Sequence, residues 1–154
     1  MSTDQQTTIR FYRVKDAYGC FSNFSPHAID LDGAVWPTSE HYFQAQKFDD
    51  AAYRERIRTT MSPMEAAELG RSRKVPLRRD WEGVKNDVMR AALRAKFTQH
   101  AELRETLVGT GDAMLIEHTH NDKYWADGGD GKGRNMLGIL LMELREELRN
   151  EAGK

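Results

Sequence analysis

Residues 28–48 read AIDLDGAVWPTSEHYFQAQKF, and they set the fold class. Asp32-Gly33 is a two-residue hairpin signal with a short strand on either side. Pro37 then stops the sheet, and Thr38 or Ser39 can cap a helix over residues 39–48. A strand pair that passes directly into a helix predicts mixed architecture. The rest of the chain tips the balance toward helix.

Upstream, residues 1–8 read as a flexible tail before one domain over residues 9–150, and TIRFYRV (8–14) alternates like a strand. Downstream, Asp49 or Asp50 caps a helix over AAYRERIRTT. Ser62 and Glu65 form a capping box, with Pro63 at the first helical position. Asp80 is expected to cap a longer helix from Trp81 to about Phe97, with Val84, Val88, Ala91 and Ala95 in one apolar line. Met89, Leu93 and Phe97 flank that line. AELRETLV is a shorter helix closed by Gly109 and Gly111, and AMLIEHT (113–119) reads as a strand. Leu137, Leu140, Leu141, Leu144 and Leu148 line one face of a final helix. The expected fold is a helix-rich, single-domain α+β structure with a small antiparallel sheet.

The 154 residues are 39% hydrophobic and 31% charged, with a formal net charge of -1. That balance argues against a general nucleic-acid or membrane-surface binder. RSRKVPLRR (71–79) still carries five basic side chains and no acid, which suits a small anionic ligand or a solvated turn. Cys20 is the only cysteine, so no intrachain disulfide can form. No histidine lies nearer to it than His27, which disfavours a thiol nucleophile. The polar start MSTDQQTTIR is no signal peptide, and no apolar run approaches the ~20 residues of a membrane span. The expected location is cytoplasmic, with no membrane partner.

YWADGGDGKGRN (124–135) packs four glycines into six residues beside two large aromatic rings. Glycine loses much entropy on ordering, so such a run means sharp bends or close approach. It is no P-loop, because Lys132 is followed by Gly133 rather than Ser or Thr. It is no dinucleotide fingerprint, because Met136 stands where the third glycine belongs. The spacing of Asp127, Asp130 and Gly131 also fails the EF-hand pattern. What remains is chemistry: Asp127 follows Tyr124-Trp125, and Asn135 can cap the last helix, whose N-terminus favours an anion.

In the helix after Pro37, Glu40, Gln44 and Lys47 share one face, flanked by His41, Phe43 and Phe48. That polar stripe fits either solvent or a cleft. Trp81 follows the basic run and is either a core anchor or a stacking platform beside a phosphate. His118 and His120 would share one strand face, but no third metal ligand is evident.

The stretches GCFSNFSPHAI, WPTSEHYFQAQKF, LGRSRKVPLRRDWEGVK, VMRAALRAKF and HNDKYWADGGDGKGRNMLGILLMELREEL together resemble the YbiA-like, or NADAR, family. The resemblance runs in family order from about Ile9 to Leu148, with Ala126 where the family has glycine. It implies hydrolysis of an N-glycosidic bond to a ribose phosphate. For the bacterial branch, the implied substrates are two early riboflavin-pathway intermediates, each an aminopyrimidine joined to ribose 5-phosphate. Other members of the wider family are expected to remove ADP-ribose from guanine in nucleic acid, or to bind NAD-derived ligands without catalysis.

The residues fit that chemistry. Cleavage at an anomeric carbon passes through an oxocarbenium-like cation that a carboxylate stabilises. By resemblance Glu40 is the essential carboxylate, as base or as electrostatic partner, and Asp127 binds ribose hydroxyls or positions water. Trp81 and Trp125 can stack on the base. Lys132, Arg134, the loop N–H groups, and Arg10 or Lys47 can meet phosphate. Asn23 matches a family motif and is expected to hydrogen-bond substrate, and Asn135 lies beside it in role. No metal and no cofactor is required, and the implied partner is a small phosphorylated N-riboside. Nucleic acid enters only under the ADP-ribosyl alternative. The oligomeric state is open.

Overall fold

In the computed structural model, residues 7–152 are described. Two compact units emerge from the packing. One is continuous in sequence, Asn23–His100. The other is discontinuous, joining the chain up to Ser22 with the chain from Ala101 onward.

The continuous unit begins with the expected hairpin. β2 (Ile29–Leu31) pairs antiparallel with β3 (Ala34–Trp36), and β1 (Thr8–Phe11) precedes them in the chain. Asp32 and Gly33 both take positive φ, 56° and 80°, as a primed two-residue turn requires. Four helices follow: α1 (Ser39–Ala45), α2 (Ala51–Arg58), α3 (Pro63–Arg71) and α4 (Trp81–Gln99). Three of their starts are side-chain caps, made by Thr38, Asp50 and Ser62, each accepting a backbone N–H three residues on.

Asp80 departs from expectation. Its carboxylate makes no cap bond and instead accepts from Arg78 Nε at 2.6 Å and Nη2 at 3.1 Å. The inner face of α4 also differs from the expected apolar line. Met89, Ala92, Leu93, Ala95, Lys96 and Phe97 are buried, whereas Val84, Val88 and Ala91 are half-buried. The core of this unit is an apolar cluster that includes Ile29, Trp36, Tyr42, Phe48, Tyr53 and Ile57. At the far end of α4, Gln99 binds β2 as a strand would. Its Oε1 accepts the Asp30 N–H and its Nε2 donates to the Asp30 carbonyl, both at 2.8 Å.

The discontinuous unit contains β1, α5 (Ala101–Gly109), β4 (Met114–Glu117) and α6 (Met136–Ala152). β1 is shorter than the expected 8–14, because the chain turns at Arg13, whose N–H donates to the Asp16 carboxylate. It pairs in parallel with β4, Thr8 opposite Met114 and Phe11 opposite Glu117. The fold is therefore α+β and helix-rich, as expected, with a second two-stranded sheet whose strands run parallel. The expected tail falls largely on residues 1–6, outside the described residues, and β1 already opens at Thr8. No described helix is long and apolar enough to cross a membrane.

Candidate active site

Each unit holds one buried carboxylate among the expected site residues. In the continuous unit it is Glu40, in the first turn of α1. Its backbone N–H donates to the Asn23 carbonyl at 3.1 Å. One turn on, Gln44 Nε2 donates to Glu40 Oε2 at 2.8 Å. Both side chains are buried, at 8% and 7% exposure, so the polar stripe read from the sequence does not face open solvent. Gly70 of α3 makes room for this pair. A Cβ there would stand 1.8 Å from Gln44 Oε1.

Asn23 is brought beside Glu40, but its side chain is held internally. Oδ1 accepts the Ser39 hydroxyl at 2.7 Å, and Nδ2 points to Met89 Sδ at 3.4 Å. These bonds tie the Asn23 segment to the start of α1 and to α4. Trp81 is buried and packs edge-on against Phe43, with ring centroids 5.2 Å apart. Lys47 is half-buried, with its ammonium 5.8 Å from the Phe43 ring centre.

In the discontinuous unit the buried carboxylate is Asp127, the residue that organises the glycine loop. Oδ1 accepts from Gly129 N at 2.8 Å and Thr119 N at 3.2 Å, and Oδ2 lies 2.7 Å from His118 Nδ1. Burial opposes the charge, but the His118 bond and the two amides outweigh it and hold this carboxyl below its ordinary range. The loop is closed by its own backbone. Gly133 N donates to the Asp127 carbonyl at 2.7 Å, Arg134 N to Lys123 at 2.8 Å and Asn135 N to Ala126 at 3.0 Å. Lys132 N is likewise taken by Asp130 Oδ1. A Cβ on Gly133 would meet the Ala126 carbonyl oxygen at 2.5 Å. The glycines thus let the loop approach itself, and several of the N–H groups expected to cradle phosphate are already bonded within it.

Asn135, at φ 52°, does not cap α6 with its side chain. Its Oδ1 accepts the Glu117 N–H at 3.0 Å and its Nδ2 donates to the Leu115 carbonyl at 2.9 Å, so it lies along β4 as a substitute strand. Trp125 and Tyr124 are half-buried and meet edge-on, centroids 4.9 Å apart. The Arg134 guanidinium stacks 5.0 Å from the Tyr124 ring centre. Lys132, Arg134 and Arg10 are exposed. The sequence reading missed His118 as a partner of Asp127, having weighed it only as a metal ligand. Among the described residues no group of three or more His, Cys, Asp or Glu could hold a metal ion.

Comparisons with known proteins agree with this architecture. The profile of the NADAR domain matches residues 10–149. N-glycosidase YbiA of Escherichia coli is 64% identical over 144 residues, covering 94% of this chain and 90% of that protein. A riboflavin biosynthesis protein of Vibrio vulnificus is 43% identical, covering 98% of this chain but only 41% of its own length. The NMR structure of the E. coli protein YbiA superposes with a TM-score of 0.91 at 62% identity, covering 97% of this chain and 89% of that one. A domain profile spanning nearly all of the described residues, with identity this high and a matching fold, places this chain in the NADAR domain family.

Proposed function

We propose that this chain is an N-glycosidase that hydrolyses the bond between an aminopyrimidine and ribose 5-phosphate in early riboflavin-pathway intermediates. The observation that carries the proposal is Glu40: a buried carboxylate, fixed from one side by the Gln44 amide and set at a capped helix start. As the anomeric C–N bond breaks, positive charge grows on the sugar, and a fixed carboxylate in a dry setting stabilises it better than water can. The names of the E. coli and Vibrio relatives, an N-glycosidase and a riboflavin biosynthesis protein, support the reaction class and the substrate class.

The other roles are proposed on the same footing. Trp125 stacks on the leaving base, and the exposed Lys132 and Arg134 supply positive charge for the phosphate. Asn23 acts by holding the start of α1 in place. The proposal includes a cytoplasmic location, which a chain with one cysteine suits.

The test is release of free ribose 5-phosphate from the aminopyrimidine riboside phosphate, run beside DNA carrying ADP-ribosylated guanine, with wild-type and Glu40→Gln protein. Turnover of the small substrate, lost in Glu40→Gln with the thermal midpoint kept, is the expected result. Turnover of the DNA adduct alone would replace the proposed substrate, and full activity of Glu40→Gln would overturn the mechanism.

A further inference from the structure

His118 follows β4 directly and keeps 49% of its side chain exposed, yet its Nδ1 is bound at 2.7 Å by a carboxylate whose own side chain is only 6% exposed. The same carboxylate accepts two backbone N–H groups on Oδ1, which anchor it. An ionised carboxylate only accepts hydrogen bonds, so Nδ1 must carry the hydrogen. In the neutral ring, the lone pair therefore lies on Nε2. A solvated surface histidine needs no such partner. A buried acid that fixes the tautomer of a half-exposed imidazole is the arrangement that prepares Nε2 to accept a proton and then stabilises the imidazolium.

We propose that Asp127 serves the reaction through His118: it orients the imidazole, and His118 Nε2 is the proton acceptor for the attacking water. The proposal rests on the N-glycosidase reading above. In the step, the water oxygen bonds to the anomeric carbon and one water proton passes to Nε2. The C–N bond breaks with its electron pair on nitrogen, and Nε2 returns the proton to the departing amine. Atoms and charge balance with water as the sole co-reactant. Asp127 is then a positioning residue, and the glycine loop exists to hold it.

The experiment follows ribose 5-phosphate release by wild type, His118→Ala and Asp127→Asn. His118→Ala should lower kcat by about 100-fold or more, with KM within about threefold, in protein that remains folded at the assay temperature. Imidazole added to the buffer should restore part of the rate, because the site of the missing ring is open. Asp127→Asn should lower kcat similarly, since an amide N–H facing Nδ1 forces the proton onto Nε2. The double variant should be no worse than either single change. Nitrogen-15 shifts of the His118 ring should report the Nδ1–H form in wild type. Retention of more than half the rate by His118→Ala overturns the proposal, as does a loss that imidazole does not restore. If wild type itself releases no ribose phosphate, the N-glycosidase reading falls and this role falls with it. Active wild type with an indifferent His118→Ala sinks only this role.

Discussion

Gln44 donates to Glu40 Oε2 at 2.8 Å across one turn of α1, while its own Oε1 is buried with no hydrogen-bond partner among the described residues and faces the missing side chain of Gly70. The amide is thus held by one strong bond on one side and by close packing on the other. Gly70→Ala should force it off Glu40. Overpacking of this kind costs about 1–3 kcal/mol. A urea melt should record that loss, and turnover of the riboside phosphate should drop about tenfold, the rate effect of ~1.4 kcal/mol. Unchanged turnover in a destabilised variant would show that the Gln44 bond has no part in catalysis.

Asn135 replaces a missing strand along β4, and Asn135→Ala strands both the Glu117 N–H and the Leu115 carbonyl. Each orphaned group, part-buried here, costs about 1–3 kcal/mol at most, and alanine at positive φ adds strain. A stability loss of about 2–4 kcal/mol is expected from the urea midpoint. Asn135→Asp keeps the acceptor and loses the donor, so it should fall between wild type and alanine.

Ser62 and Asp80 precede helices in the same way, but only Ser62 caps with its side chain. Ser62→Ala should cost about 1 kcal/mol, the usual worth of a cap. Asp80→Ala removes only an exposed pair with Arg78 and should leave the thermal midpoint where it was. Equal losses in the two variants would contradict this assignment.

His41 is buried, with Nε2 donating to the Thr60 carbonyl and Nδ1 accepting from the Thr38 hydroxyl. Burial lowers its pKa below the ordinary 6.5, outweighing the Thr60 bond and the Glu65 charge. A depressed histidine binds its proton more readily in the unfolded chain. Its contribution to stability is therefore whole above about pH 6.5 and is lost as pH falls from there through the native-state value. Urea midpoints measured from about pH 7 down to about pH 5 should fall more steeply for wild type than for His41→Gln. Parallel slopes would mean that another group carries the acid sensitivity.

Helix starts were legible in the sequence because capping is local: Thr38, Asp50 and Ser62 each need only the next three residues. The hairpin at Asp32-Gly33 was legible for the same reason. Asp80 was misread because an aspartate before a helix can serve either a cap or a neighbouring arginine, and Arg78 was nearer to hand. The direction of β4 against β1 could not be read, since two short alternating runs pair equally well either way round. In the candidate site, the polar stripe holding Glu40 fitted solvent and a cleft equally, so only the family resemblance singled Glu40 out, and its burial needed the packing of α1 against Gly70. The nine-residue separation of His118 and Asp127 matches no helix or strand period, so their bond was invisible until the loop had closed.

The parallel pairing of β1 with β4 also orders events in time. The continuous unit has all of its chain once His100 has been made, so its local helices and hairpin can form early during synthesis. β1 is made before the continuous unit but must wait about a hundred residues for its partner strand, and closing so long a loop is slow. Until then the main-chain groups of β1 have no β4 to bond. A strand made before the continuous unit is thus secured only after that unit is complete, and while it waits this strand is where a chaperone would be of most use.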